Sequence, residues 1–394
     1  MEAKRTKHDG GVLLPEDVVF EVLARLPAKT LCRFRCVCKG WCALIANPAF
    51  VAVQRSRAGP HLVGVLYKAW PPEVRVMDMD GNVVRALEMT RSTPLPTRPD
   101  LICVDGNHLS RQGGMVIDPA AGRAFTVDFS GSDPPPPRGC TYSTSFGRAA
   151  PSGAFKFIRL QEPLSWNDDG GGHMFTEVAT IIDGGSTEPP TWRRRAAPPF
   201  VTGLGCDQKA IVNGFLYCIS CKLEIGGDVD GEDDTAPSWN RIATFDLERE
   251  EWKAEVIIGP TLMRYHKAEE IWCIALVEIK GTLAMVDAHV DSDQDVSIWL
   301  LVDPDKSVWV KECTIQMPKK YTWTTKLLGD VLGDRRMLLL VRMMEKETRQ
   351  NKNSYDFRDA LLFYNPSTKA FTDMWRSHSE LDIHWSFYTG SLLS

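Results

Sequence analysis

A chain of 394 residues, 43% of them hydrophobic, is long enough for one large domain and a smaller one. No window approaches the roughly 20 apolar residues of a membrane span; MLLLVRMM (337–344) comes nearest and contains Arg342. The net charge of −5 divides unevenly, with ten Lys/Arg against five Asp/Glu in residues 1–57 and therefore −10 on the rest, and so acidic a body excludes nucleic acid as the main partner.

Residues 1–12 read as a flexible leader, charged but without the apolar run of a signal peptide. A first helix is predicted to open at Pro15, where the missing N–H costs nothing, with Glu16 and Asp17 facing the positive end of its dipole. Val18, Val19, Val22 and Leu23 form an apolar stripe that Leu26 extends until Pro27 breaks it. Thr30 is placed as the N-cap of a second helical stretch, with apolar positions at Leu31, Phe34, Val37 or Cys38, Trp41, Leu44 and Ile45. Asn47-Pro48 reads as an N-cap with proline at N1, opening a further short helix.

About forty residues thus give three or four short helices, a unit that rarely sustains a core without a metal, a disulfide or a partner. Its apolar side chains outnumber what such helices can hide. Part of that surface is expected to await another protein, the alternative being a helical cap on the larger domain. Cys32, Cys36, Cys38 and Cys42 offer only i, i+4 pairs on a helix, not the separated Cys-x-x-Cys pairs of a structural zinc site. They are read as small buried thiols, and no metal or other cofactor is expected. The odd total of eleven cysteines, scattered without secretory features, points to reduced thiols in the cytoplasm or nucleus.

The order Leu14-Pro15, Leu26-Pro27, Leu31, Phe34-Arg35-Cys36-Val37-Cys38-Lys39 and Trp41 resembles the F-box in its plant-type form, over residues 13–52. The resemblance implies docking to a Skp-type adaptor, and through it to a cullin scaffold, in a Skp-cullin-F-box (SCF) ubiquitin ligase. Such adaptors are acidic, which suits the basic head. Adaptor-binding roles carry over to Leu14, Pro15, Val18, Val22, Leu26, Pro27, Leu31, Val37 and Trp41, undivided between those that face the adaptor and those that face the module's own core.

After a linker at 53–60, residues 61–394 hold a recurrent pattern: an acid or Asn, a turn, and an aromatic six positions later. Asp246 leads to Trp252, Asp303 to Trp309 and Asn365 to Phe371, with looser copies at Asp78, Asp118 and Asp183. Each copy reads as a hairpin. Gly-bearing strand pairs stand upstream at VNGFLYCIS (212–220), EIKGTLAMV (278–286) and VLGDRRMLLLV (331–341). Two hairpins make a four-stranded sheet, and such sheets in series predict an all-β propeller of about six blades. The pattern resembles the kelch-type and F-box-associated repeats of plant F-box proteins, including Phe155-Lys156-Phe157 in SFGRAAPSGAFKFIRL (145–160), but most copies lack the kelch double glycine.

Motifs for chemistry are wanting. DSDQD (291–295) lacks the glycine and glutamate of a calcium loop. Cys218-Ile219-Ser220-Cys221 lies in a strand-like run with no following helix to lower a thiol pKa. DVDGEDD (228–234) and DDGGGH (168–173) read as polar loops, DPPPPRG (133–139) as a linker, and WRRR (192–195) as a weak basic run. The expected function is that of a non-catalytic receptor: the F-box docks the adaptor and the propeller holds a target protein, with no nucleic acid or membrane involved. The alternative is a propeller lectin or enzyme carrying a helical cap.

Overall fold

Pro15 turns the chain into α1 (Glu16–Leu23) from the N-cap position, with φ −54° and ψ 145°, one residue before the expected N1 place. In this computed structural model the described residues are 14–26, 28–57, 60–66, 73–91, 101–104, 113–119, 123–128, 140–163, 175–181, 191–200, 202, 208–220, 241–260, 274–288, 295–318, 321–330, 336–346, 355–376 and 383–388. The chain divides into two compact units, Met1–Gly59 with Thr389–Ser394, and Pro60–Tyr388.

The single second helix expected from Thr30 is two helices, α2 (Ala28–Phe34) and α3 (Lys39–Ala46). Thr30 lies inside α2, and the cap belongs to Cys38, whose Sγ accepts the Trp41 N–H at 3.4 Å. Asn47 caps α4 (Pro48–Arg57) as expected, its Oδ1 accepting the Ala49 N–H at 2.8 Å. That helix runs five residues past the expected end of the module at 52, into the stretch read as linker. Leu23, Ala24, Leu31, Ile45 and Phe50 form a closed core, with the Phe20 ring edge-on to Phe50 at 5.1 Å.

The second unit is built of strands, and among its described residues there is no α-helix. In chain order come β1 (His61–Leu66), β2 (Glu73–Met77), β3 (Val83–Arg91), β4 (Ile102–Val104), β5 (Gly113–Asp118) and β6 (Arg123–Asp128). Next are β7 (Cys140–Arg148), β8 (Phe155–Pro163), β9 (Phe175–Ile181) and β10 (Trp192–Arg195), then β11 (Lys209–Val212), β12 (Phe215–Ile219), β13 (Arg241–Asp246), β14 (Glu251–Trp252) and β15 (Ile257–Ile258). Last are β16 (Ile274–Ile279), β17 (Thr282–Asp287), β18 (Asp295–Asp303), β19 (Val308–Gln316), β20 (Tyr321–Asp330), β21 (Met337–Lys346), β22 (Tyr355–Asn365), β23 (Ala370–Arg376) and β24 (Ile383–Tyr388).

These strands form five hydrogen-bonded sheets where about six blades were expected, and the first sheet explains the difference. It has seven strands in the order β24-β1-β2-β3-β6-β5-β4. Two antiparallel groups are joined by the parallel pair β3–β6, Glu88 opposite Arg123 through Arg91 opposite Thr126. The other sheets are β7–β10, β11–β15, β16–β19 and β20–β23. The innermost strands adjoin in a closed cycle, β4 to β7 to β11 to β16 to β20 to β24 and back to β4. This is the ring of a propeller. It closes on β24, which pairs antiparallel with β1 from His61–Tyr388 to Leu66–Ile383. Gly64 stands opposite Trp385, and a Cβ there would lie 2.7 Å from the indole, so only glycine lets the ring close over that side chain.

The core lies between sheets. On β12, Leu216 and Cys218 pack toward β7–β10 while Tyr217 and Ile219 pack toward β16–β19. On β21, Leu338 faces the first sheet while Leu339 and Val341 face β16–β19. Period-2 alternation thus fills both faces, which is why these strands read as continuous apolar runs.

The acid-to-aromatic repeat falls on the outer hairpins. Asp246 Oδ1 accepts the N–H groups of Glu248 and Arg249, Asp303 Oδ1 that of Lys306, and Asn365 Oδ1 those of Ser367 and Thr368. Four positions after each cap the chain enters the left-handed region, at Glu250 (φ 59°), Ser307 (φ 52°) and Lys369 (φ 55°). Trp252, Trp309 and Phe371 then each pack into the core shared with the preceding sheet. Of the looser copies, Asp78 follows β2 and its Oδ1 accepts the N–H groups of Asp80 and Asn82, while Asp118 ends β5 and most of the turn after it lies outside the described residues. The turn after Asp183 lies outside the described residues, between β9 and β10. The glycines of VNG and IKG sit in the inner turns, as Asn213-Gly214 and Lys280-Gly281 with φ of 50°, 84°, 52° and 73°, the positive pair that a tight hairpin requires.

A candidate adaptor interface on the helical module

α1 has two faces. Leu23 and Ala24 are buried with Val19 and Phe20 beside them, while Val18 and Val22, one turn apart, are 41% and 54% exposed. Leu14, just before the N-cap, is 59% exposed, and Val37 in the bend between α2 and α3 is 61% exposed. The spacing of four keeps Val18 and Val22 on one face of α1, while Leu14 precedes the N-cap Pro15. Because the module's core is already filled by five buried side chains, these four have no role in the module's own packing. Leaving these half-exposed aliphatic side chains in water forgoes part of the about 1.5–3 kcal/mol that full burial of each would contribute.

The residues expected to bind the adaptor separate accordingly. Leu14, Pro15, Val18, Val22 and Val37 are on the surface; Leu26 and Trp41 are half-buried against the core. The Trp41 ring leans on Phe34 at 5.3 Å. Leu31 is fully buried, so it belongs to the module's own core rather than to any contact surface. Pro27 lies outside the described residues. The thiols depart from expectation, since Cys32, Cys36, Cys38 and Cys42 are all exposed. The inward faces of α2 and α3 are taken by Leu31, Phe34, Trp41, Leu44 and Ile45, which leaves the thiols on the outer side.

Charge is arranged around the same module. Glu21, between Val18 and Val22 on α1, accepts from Arg57 of α4 at 3.1 Å, with Arg25 nearby. The Arg57 hydrogen bond holds the Glu21 carboxyl below its ordinary value.

In the body, the run read as a weak basic signal is the edge strand β10. Arg193 and Arg195 both reach Glu250, at 3.2 and 2.9 Å from their Nε atoms, and Lys156 Nζ lies 2.9 Å from the same carboxylate. Arg194, pointing the other way, stacks 3.8 Å over Phe175. Arg159 pairs with the buried Glu177 and lies 4.4 Å over Trp192. No sequence spacing joins Glu250 to residues 156, 193 and 195. Among the described residues no three His, Cys, Asp or Glu side chains gather as a metal set, and no helix is long and apolar enough to cross a membrane.

Comparison with known proteins agrees with this division. Residues 13–52 match the F-box domain family. The F-box protein At5g65850 of Arabidopsis thaliana is 23% identical over 325 residues, covering 77% of this chain and 71% of its own length. The putative F-box protein At2g16220 of the same plant is 24% identical over 344 residues, 79% and 72% of the two chains. Among solved structures, a periplasmic gluconolactonase of Pseudomonas aeruginosa overlaps 83% of this chain and 99% of its own at 8% identity, with a TM-score of 0.38, too low for any inference about chemistry. Residues 13–52 are an F-box domain set ahead of a β-propeller, and over most of its length the chain is similar to plant F-box proteins.

Proposed function

We propose that this chain is the substrate-recognition subunit of an SCF-type ubiquitin ligase. Its F-box domain docks a Skp-type adaptor, which leads to a cullin scaffold, and its propeller holds the protein to be ubiquitylated in the cytoplasm or nucleus. The observation that supports this most is the set of aliphatic side chains Leu14, Val18, Val22 and Val37, exposed on a module whose core is complete without them. Burying that set against a partner would recover the apolar free energy the module forgoes. An acidic partner would also suit a head that carries +5.

In this role the protein supplies no catalytic group. It raises the local concentration of a target lysine near an activated thioester, which lowers the entropic part of the barrier. The test is capture of Skp-type adaptors from the source organism by the full chain and by Leu14→Ala/Pro15→Ala. Removing buried interface side chains should weaken capture at least about tenfold, with strand and helix circular dichroism unchanged. If the folded wild-type chain captures no adaptor, the assignment falls.

A further inference from the structure

The outer strand of the third sheet is interrupted. β14 pairs with Phe245 and Asp246, the Lys253 N–H still donates to Thr244 O at 2.8 Å, β15 pairs with Arg241 and Ile242, and residues 254–256 bulge out of the ladder opposite Ala243. Between this gap and the β18–β19 turn lies a cleft of about 290 Å³, at the small end of the roughly 300–1,000 Å³ usual for ligand sites. It has room for one long side chain rather than a whole cofactor.

The walls carry a specific chemistry. Thr244 is only 2% exposed, yet its Oγ1 has no hydrogen-bond partner. A buried hydroxyl left in that state is costly and marks a place where a donor is missing. Tyr217 stands directly across the ladder from Thr244, and burial raises its phenol above the ordinary value, so it is a neutral hydroxyl at neutral pH. Trp252, Ile257 and Pro304 complete the apolar lining.

The charges at the mouth do not balance. Both cations of the lining are engaged: Arg249 lies 4.0 Å from Asp246, and the Lys253 ammonium sits 4.4 Å over the Phe215 ring. Glu251, Glu255 and Asp305 also line the cleft, and none of them pairs with a base among the described residues. Apolar surface adjoins them. Ile258, Val302 and Val308 are exposed, and β15 is tied to the β18–β19 turn by Ile258 N–H to Ser307 Oγ at 2.9 Å and Trp309 Nε1–H to Ile258 O at 2.8 Å.

We infer that this cleft receives an arginine or lysine side chain from an extended segment of another protein. Glu251, Glu255 and Asp305 surround the cation, Thr244 Oγ1 accepts one of its N–H groups, and apolar neighbours in the segment rest on Ile258, Val302 and Val308. The inference rests on the reading of the propeller as the part that holds a target, and it names what that target would present.

The test uses the full chain and dye-labelled peptides with a central arginine flanked by leucine and valine, against the same peptides with citrulline, which keeps the shape and removes the charge. The arginine peptides should bind about tenfold tighter than the citrulline peptides, and more weakly as salt rises. Glu255→Gln/Asp305→Asn should abolish that preference. Thr244→Val, which replaces the unpartnered hydroxyl by a methyl, should bind several-fold more weakly while unfolding no earlier than wild type. Equal binding of the two peptide sets, an unchanged preference in the double variant, or no binding up to millimolar peptide would each overturn the inference. Adaptor capture measured on the same preparation keeps the two readings apart. Lost peptide binding with adaptor capture intact removes only the cleft, whereas the reverse removes only the ligase assignment.

Discussion

Lys156 and Glu250 stand 94 residues apart in the chain and 2.9 Å apart in space, both buried, one on β8 and the other in the outer turn of the next sheet. Arg193 and Arg195 complete the group from β10. Removing the carboxylate leaves a buried ammonium and two guanidinium groups without their shared partner. Glu250→Ala should therefore lower the unfolding free energy of the body by about 3 kcal/mol, the lower end for a broken buried pair because both arginines reach solvent. The midpoint of urea unfolding followed by tryptophan fluorescence measures it.

The same carboxylate predicts an acid limit. Burial alone would raise the Glu250 pKa, but hydrogen bonds from Arg193, Lys156 and Arg195 outweigh it and bring the value to about 2, against an ordinary 4.5. A folded value below the unfolded one means the stabilisation is complete above the unfolded value and is lost as pH falls from there toward 2. Wild type should lose urea resistance more steeply than Glu250→Gln between about pH 5 and pH 3. Parallel slopes for the two proteins would show that Glu250 does not govern the acid limit.

In the F-box domain, surface and core substitutions should separate. Val22→Lys alters an exposed stripe and is expected to leave thermal unfolding within about 0.5 kcal/mol of wild type while weakening adaptor capture. Leu31→Ala empties a fully buried site and should cost about 2–5 kcal/mol of the module's stability. Circular dichroism at the helix band, read beside capture, distinguishes the two.

The thiols supply a labelling prediction. Cys32, Cys36, Cys38 and Cys42 are exposed and Cys218 is buried. Iodoacetamide under native conditions should modify the first four rapidly and Cys218 only after denaturation, as followed by mass spectrometry of peptides. Cys38→Ser should hold α3 more firmly than Cys38→Ala by about 1 kcal/mol, since a hydroxyl is the better N-cap acceptor.

The inner turns offer a gain of stability. Lys280 occupies, at φ 52°, the position that Asn213 occupies in the equivalent turn of the preceding sheet. Lys280→Asn should stabilise the body by up to about 1 kcal/mol, because asparagine adopts the left-handed conformation at lower cost than lysine. The ion pair forgone, Lys280 to Glu312 at 3.4 Å on the surface, is worth little. A lowered urea midpoint would count against this account of the turn.

What could be read from the sequence was local. Asp246, Asp303 and Asn365 with their aromatics announce outer hairpins because cap, turn and packing residue all lie within seven positions, and helical periodicity marks Val18, Val19, Val22 and Leu23 as one apolar stripe, which the folded module divides, burying Leu23 and leaving Val18 and Val22 in water. Sheet membership was less legible: the parallel β3–β6 pair joins residues 88–91 to 123–126 and turns two expected blades into one sheet. Leu31 and Val22 look alike in sequence, and only the packed helices send one inward and leave the other in water. The cleft beside Thr244 depends on a missing stretch of ladder, which composition does not record.

Pairing of β24 with β1 imposes an order of events during synthesis. Residues 383–388 are the last of the ring to leave the ribosome, so β1 must wait with an open edge while some three hundred residues follow it. The F-box helices emerge before any of this and depend only on near neighbours, the kind of contact that forms fast. A nascent chain can thus expose Val18 and Val22 while the propeller is still an incomplete arc with exposed strand edges, the state most prone to misassembly. Gly64, the residue that admits Trp385, sits at the seam where that wait ends.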